Sequence, residues 1–306
     1  MIRDEKKLNA TQNPFVLMPI LLLIWGSVAA VSKLVLNRLD SYQVLFYMYG
    51  MGVVIFAVIL VIKTWGKPFK IWRLSEWLLV LACGVCTFLY DFLYLKSLEL
   101  IPAVEASMLN YLFPIFIVIF AIPIHKERLN TFKILSIFMG FAGTILLITK
   151  GNISNFSFTS LRGDVLAILA AVCWGLFTNL VKKNKKDMLT STFVMTFIAW
   201  LLSIGGMLVY SHGKLLQSMD FYGVLWLCLS NIVFGFFLYF RALKYSSASL
   251  IASFTFFAPF VTLVFIMILL GERLTWLDGL AAVLILFSVP VQKLGDVIKR
   301  RRGGLL

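Results

Sequence analysis

Charge is scarce in this sequence. Only 14% of its 306 residues are charged, and just 14 are Asp or Glu. A soluble domain carries about 25% charged residues, so a soluble enzyme with a fully hydrated surface is excluded. Cysteines number four (Cys83, Cys86, Cys173, Cys228), and all fall inside apolar runs, which excludes a secreted disulfide scaffold. Cys83-x-x-Cys86 has a redox or zinc spacing, but no second pair and no histidine stands near it. The two histidines, His125 and His212, lie in separate polar breaks and cannot share a metal. There is no Gly-rich phosphate loop, no paired metal-ligand motif and no Ser/His/Asp set, so neither catalysis nor a metal or cofactor is expected. The clustered acidic residues that an intramembrane prenyl-transfer enzyme needs to hold magnesium are missing too.

What the chain has in abundance is apolar surface: 61% of residues are hydrophobic, and the mean hydropathy is +0.95. That excess has to face lipid, which makes this a polytopic membrane protein. The net charge of +14 does not point to nucleic acid. The basic residues sit between the apolar runs, where they orient a membrane protein.

A spanning helix needs about 20 apolar residues to cross ~30 Å of hydrocarbon. Reading from polar break to polar break gives ten spans. The first five run near Pro14–Leu36, Tyr42–Ile62, Glu76–Leu98, Ala103–Ile124 and Phe132–Thr149. The second five run near Gly163–Val181, Thr190–Tyr210, Phe221–Leu243, Ala248–Leu270 and Trp276–Gln292. The first apolar run follows a polar segment and is long enough to span, so it does not read as a cleavable signal. On alternate sides the Lys and Arg residues divide 21 to 7. The richer side holds both termini, which the positive-inside rule assigns to the cytoplasm. An inner-membrane, multi-pass protein is expected.

The two halves echo each other. At an offset of 145, Phe92-Leu93-Tyr94 matches Phe237-Leu238-Tyr239, Pro114 matches Pro259, and Glu127-Arg128-Leu129 matches Glu272-Arg273-Leu274. At an offset of 149, Trp25-Gly26 matches Trp174-Gly175. The expected organisation is an N-terminal five-helix repeat (residues 1–149), a linker (150–162) and a C-terminal five-helix repeat with a basic tail (163–306). Five is odd, so the second repeat enters the membrane upside down. Inverted repeats of this kind frame a midplane site that can open to either side.

These motifs resemble the drug/metabolite transporter superfamily in its ten-helix EamA-type branch. The likeness rests on the Trp-Gly of each half's first helix and on the segment from Tyr94 through Pro114 to Glu127-Arg128-Leu129. That segment's echo runs from Tyr239 through Pro259 to Gly271-Glu272-Arg273-Leu274. Met139-Gly140-Phe141-Ala142-Gly143 resembles the family's glycine-containing fifth helix. The first half departs from the pattern at His125-Lys126, where the second half has Gly271 before Glu272. The resemblance implies alternating-access movement of small metabolites, often export of amino acids. It also implies a cavity lined by helices one, three, four, six, eight and nine. Bacterial exporters of aromatic amino acids share this architecture.

Ionisable groups inside spans cost about 2.5–3.5 kcal/mol near the helix centre. Asp91, in the third span, is therefore the leading candidate: a proton-titrating group, a contact for a substrate ammonium, or half of an ion pair with Lys33. Asn110 and Thr255 occupy matched positions in the fourth and ninth spans, with Asn231 in the eighth and Asn179 in the sixth. Each amide must bond another helix or a substrate. Trp25, Tyr90, Tyr94, Tyr111, Trp174 and Tyr239 sit away from the interfacial belts where Trp and Tyr usually gather, and would line a cavity for a flat or apolar cargo. Pro114 and Pro259 are the candidate gate points. A nucleotide sugar or phosphorylated cargo would want Lys or Arg at the midplane, and none is evident. The loops are too short to offer a large partner surface, against a sensor or assembly protein. A monomer or homodimer, with a proton as the candidate coupling ion, completes the expectation.

Overall fold

The computed structural model describes residues 9–64, 72–101, 109–127, 130–149, 160–211, 216–258 and 260–261, with scattered residues elsewhere. Among them the regular structure is entirely helical. The helices are α1 (Pro14–Gly26), α2 (Val28–Leu36), α3 (Ser41–Thr64), α4 (Leu74–Leu100), α5 (Phe113–His125) and α6 (Thr131–Thr149). They continue as α7 (Leu161–Lys183), α8 (Met188–Tyr210), α9 (Ser218–Leu227), α10 (Phe234–Lys244) and α11 (Ala248–Thr255). Six stretches are long and apolar enough to cross a membrane: Pro14–Leu36, Ser41–Lys63, Leu74–Leu100, Leu161–Lys183, Met188–Tyr210 and Asp220–Lys244. Phe113–His125 and Thr131–Gly143 are shorter apolar helices in the expected fourth and fifth spans. The ninth span begins as α11. Pro259, the rest of the ninth from residue 262, Glu272-Arg273-Leu274 and about half of the tenth lie outside the described residues.

Local chemistry sets the helix starts. Asn13 accepts the Phe15 N–H and is followed by Pro14, whose missing N–H costs nothing in a first turn. Ser160, Asp187 and Ser247 accept backbone N–H groups at the starts of α7, α8 and α11. At the end of α5, Lys126 takes φ 55°, the left-handed conformation that favours glycine. Its counterpart at the 145 offset is Gly271. The substitution noted in the sequence therefore falls where the turn chemistry usually calls for a glycine.

The outside is apolar: Leu161, Leu208 and Leu74 are 80%, 77% and 75% exposed, which only lipid makes tolerable. The inside is correspondingly polar in places, with Thr178, Asn179, Ser230 and Thr255 fully buried. The halves interleave rather than sit side by side. α4 packs on α7, α3 on α8, α5 on α7 and α1 on α10, so each of these pairs joins the first half to the second.

Small residues permit the close crossings, since lipid supplies no hydrophobic drive between helices and packing must. A Cβ on Gly175 would lie 2.5 Å from Phe116 Cβ and 2.8 Å from the Phe116 carbonyl carbon. Backbone cannot swing aside as a side-chain tip can. Gly175→Ala is expected to lower stability by about 1–3 kcal/mol, measured as a fall in thermal unfolding temperature in detergent. The same change at Gly205, which has nothing within 4 Å, is expected to leave that temperature unchanged.

Candidate functional site

Among the described residues four spans are interrupted, and the interruptions meet around one cavity. The first span breaks between α1 and α2 at Ser27, whose hydroxyl bonds the Ile24 carbonyl at 2.9 Å and accepts from Trp226 Nε1 at 2.9 Å. The fourth turns at Tyr111-Leu112, before α5. The eighth passes through a π-helical segment, Cys228–Val233, between α9 and α10. The ninth turns at Phe256-Phe257, the same offset of 145 from Tyr111-Leu112. Around these points lies a cavity lined by Trp25 and Val28, by Asn110, Tyr111 and Phe113, by Asn231 and Phe236, and by Ala258. Unbroken helices contribute Tyr90, Asp91 and Tyr94 from α4 and Trp174 from α7. The cavity leaves about 80 Å³ for the centres of water-sized molecules, room for a few waters or one small organic molecule. A second hollow of about 40 Å³ adjoins it, sharing Val28, Tyr90, Asp91, Tyr94 and Asn231 and reaching Ser32, Val44 and Met48.

Trp174 is the hub of the aromatic wall. Its ring centre lies 4.6 Å from Tyr90, 5.6 Å from Trp25 and 5.4 Å from Tyr239. Phe113 touches it edge-on at 6.3 Å. Tyr90 stacks on Tyr94, one turn along α4, at 6.2 Å, and accepts a hydrogen bond from Asn110 Nδ2 at 3.3 Å. The Asn110 Oδ1 is buried without a hydrogen-bond partner.

Asp91 sits nine residues before the end of α4 at Leu100, ~14 Å along the helix. Its Oδ2 accepts from the hydroxyl of Tyr49 on α3 at 2.5 Å. The ion pair with Lys33 does not form: Lys33 Nζ donates to the Leu98 carbonyl at 2.7 Å. Among the described residues no Lys, Arg or His lies within 4 Å of the Asp91 carboxylate.

Seven of the sequence candidates thus line the cavity: Trp25, Tyr90, Asp91, Asn110, Tyr111, Trp174 and Asn231. Three others have different surroundings. Asn179 binds α7 to α5, with Nδ2 donating to the Ile117 carbonyl at 2.9 Å and to the Gly175 carbonyl at 2.8 Å. Tyr239 stands behind Trp25 and Trp174, fully buried, with its hydroxyl 2.8 Å from that of Thr178. Thr255 bonds back to the Ala252 carbonyl at 2.7 Å. Pro114 lies in the first turn of α5, where it interrupts no hydrogen bond. The break in the fourth span comes before it, at Tyr111-Leu112. Tyr94, one of the rings expected to line a cavity, also does so, whereas sequence reasoning missed Tyr49 as partner of Asp91, and Phe113 and Phe236 as lining.

One end of the bundle is tied across the halves. Glu127, after α5, accepts from the Ala248 N–H at 3.0 Å and from the Ser249 hydroxyl at the start of α11, with Lys133 Nζ 3.4 Å away. Lys186 pairs with Glu76 at 2.8 Å across the halves, and within the second half Lys182 donates to the Ser246 carbonyl. The opposite end carries Arg38–Asp220 at 3.7 Å and Ser211 donating to Asp40 at 2.8 Å.

Apolar helices interrupted at one level around a polar, ring-lined cavity define a membrane transporter. Comparison with known proteins gives the class its family. The model of the EamA-like transporter family matches residues 14–149 and again 161–291, and the chain belongs to that family. It is 24% identical over 280 residues to an uncharacterized transporter of Archaeoglobus fulgidus, covering 89% of this chain and 94% of that one. Uncharacterized transporter YvbV of Bacillus subtilis is 25% identical over 277 residues, 89% of this chain and 88% of that protein. Aromatic amino acid exporter YddG of Ancylobacter novellus is 32% identical over 90 residues, 29% of this chain and 31% of that one. A solved crystal structure superposes with a TM-score of 0.75 at 19% identity, covering 92% of this chain and 97% of that one. That likeness bears on the fold alone.

Proposed function

We propose that this protein is a secondary transporter that exports small organic metabolites, foremost amino acids with aromatic or large apolar side chains, by alternating access. The observation that carries the reading is the cavity itself. Trp25, Tyr90 and Trp174 offer flat apolar contact, Asp91 offers a carboxylate for a cargo ammonium, and both halves contribute walls. The short match to an aromatic amino acid exporter favours the same cargo class. Among the described residues no Lys or Arg lines the cavity, which disfavours nucleotide sugars and phosphorylated metabolites.

In this reading residues 1–149 and 163–306 are inverted repeats in the inner membrane of the cell, with both termini cytoplasmic. Their interleaved packing supports it. Exchanging first-half for second-half partners turns the α4·α7 contact into that of the first span with the eighth, which is the α1·α10 contact. The contact of the second and seventh spans, α3·α8, maps onto itself. The end tied by Glu127, Lys182 and Lys186 is the cytoplasmic gate. Asp91 is the candidate coupling site for a proton.

Liposomes carrying the purified protein, loaded with labelled Trp, Phe, Tyr, Met and a polar amino acid, test the proposal with and without a proton gradient. Selective release of the aromatic and large apolar amino acids is the expected result. No release above protein-free liposomes sinks the amino-acid assignment.

A further inference from the structure

The Trp-Gly pair of each half sets one indole in the cavity wall. Trp25 comes from the first half and Trp174 from the second, and their rings meet edge-on with centres 5.6 Å apart. The Nε1 of each is buried with no hydrogen-bond partner. An indole N–H only donates, so nothing but an acceptor satisfies it, and a buried donor left bare is costly. The Tyr239 hydroxyl beside Trp174 is already shared with Thr178 and closes no bond to the indole. Acceptors with capacity to spare line the same cavity. Asp91 has one oxygen engaged by the Tyr49 hydroxyl, and a carboxylate has about four lone-pair sites. The Asn110 Oδ1 is buried with no donor. Tyr90, next to Asp91 on α4, touches Trp174 at 4.6 Å between ring centres, so donors and acceptors stand on adjoining walls of one small space. Trp200 Nε1 is unpartnered too, but Trp200 packs on Phe46 and Phe197 and is not part of the cavity lining.

We infer that the indole N–H groups of Trp25 and Trp174 bind the carboxylate of the cargo, one oxygen each, while Asp91 and the Asn110 Oδ1 take its ammonium. This rests on the cavity being the cargo site, and it narrows the cargo to free amino acids. The amine of the same side chain, lacking the carboxylate, leaves both indoles bare. Neutral donors suit this place: a hydrogen bond to a charged acceptor is a strong one, and no buried cation has to be kept desolvated while the site is empty. Each half lends one donor, so a bound carboxylate bridges the halves.

Two probes that differ by the carboxylate test this: phenylalanine and 2-phenylethylamine. Binding of each to the full-length protein in lipid nanodiscs is measured by isothermal titration calorimetry. Phenylalanine is expected to bind at least ~10-fold more tightly. Trp25→Phe and Trp174→Phe keep a ring and remove the N–H, and each is expected to erase most of that preference. Lost ring packing would weaken both probes alike, so the difference between them reads the N–H. A second readout uses the unaltered protein with isotope-labelled tryptophan, and holds even where a variant fails to fold. Phenylalanine is expected to shift two indole N–H resonances downfield and 2-phenylethylamine neither, with Trp200 as the unmoved control. Equal or tighter binding of 2-phenylethylamine overturns the inference. So does a preference for phenylalanine that survives both substitutions, or a set of indole resonances that phenylalanine leaves in place. Transport is read apart from binding, as release of each probe from liposomes. An indole-dependent preference without release keeps the inference and removes the transport reading of the site. Release of phenylalanine with no preference over the amine does the reverse.

Discussion

Trp174→Ala is expected to abolish cargo binding and to destabilise the bundle by about 3–5 kcal/mol, the usual cost of emptying a large aromatic site. Trp174 is 5% exposed, and its ring is the one that Trp25, Tyr90, Phe113 and Tyr239 all touch. Its loss would leave a void on the cavity wall and let Trp25 and Tyr90 lose their set positions. Trp174→Phe keeps a ring at the hub and is expected to retain most of the stability while weakening binding. Thermal unfolding in detergent and calorimetric binding, measured side by side, separate the two effects. If Trp174→Ala bound cargo as the unaltered protein does, the cavity would not be the cargo site.

The second large effect is at the other end of the chemistry. Glu127→Ala removes the only carboxylate facing Lys133 among the described ion pairs and leaves the Ala248 N–H without its acceptor. Glu127 and Lys133 side chains are 14% and 9% exposed, and breaking a buried pair from one side costs about 3–5 kcal/mol. The tie between the halves would be lost with it. The expected result is a lower unfolding temperature and faster labelling of a cysteine introduced at Ser249. Glu127→Gln keeps an oxygen for the Ala248 N–H and is expected to lose less. The carboxyl of Glu127 is held below its ordinary range. Burial alone would raise it, but the Ser249 hydroxyl, the Lys133 ammonium and the Ala248 N–H outweigh burial. A lowered value means that the stabilisation is present above the ordinary glutamate range and lost only as pH falls through the lowered one. Between about pH 6 and 8 this tie is expected to be indifferent to pH. Any pH dependence of flux in that window then arises elsewhere.

Helix existence was legible because span length and hydropathy are local. The second span, read as Tyr42–Ile62, is Ser41–Thr64, and the seventh, read as Thr190–Tyr210, is Met188–Tyr210. What these helices do along their length was harder to read. The π-helical stretch at Cys228–Val233 has no sequence signature, since Leu, Ser and Ile serve either helix. Pro114, read as a gate point, stands in the first turn of α5 just after the break, because a proline fits the first turn of a helix as well as it disrupts a middle one. Which face a buried polar residue presents was also hidden. Asn110 and Asn179 look alike in an apolar run, yet one lines the cavity and the other stitches α7 to α5. Where apolar residues surround a helix on all sides, periodicity cannot tell an inner face from an outer one. The Tyr49–Asp91 pair joins two helices across 42 residues of chain, and only the packed bundle brings them together.

The contact of Gly175 with the Phe116 backbone has a mechanical meaning. Two rods that touch backbone to backbone cannot slide lengthwise without a collision, but they can tilt about the point of touch. If α7 tilts as the proposed alternating access requires, Gly175 is the natural fulcrum, and α7 is a lever with one arm running to Lys183. That arm is eight residues, ~12 Å at ~1.5 Å per residue. A tilt of ~10° moves its tip by ~2 Å, enough to separate Lys182 from the Ser246 carbonyl it holds. In the proposed alternating access, the Trp-Gly pair would join two tasks at adjacent residues: Trp174 would meet what occupies the cavity, and Gly175 would be the pivot for movement at the membrane surface.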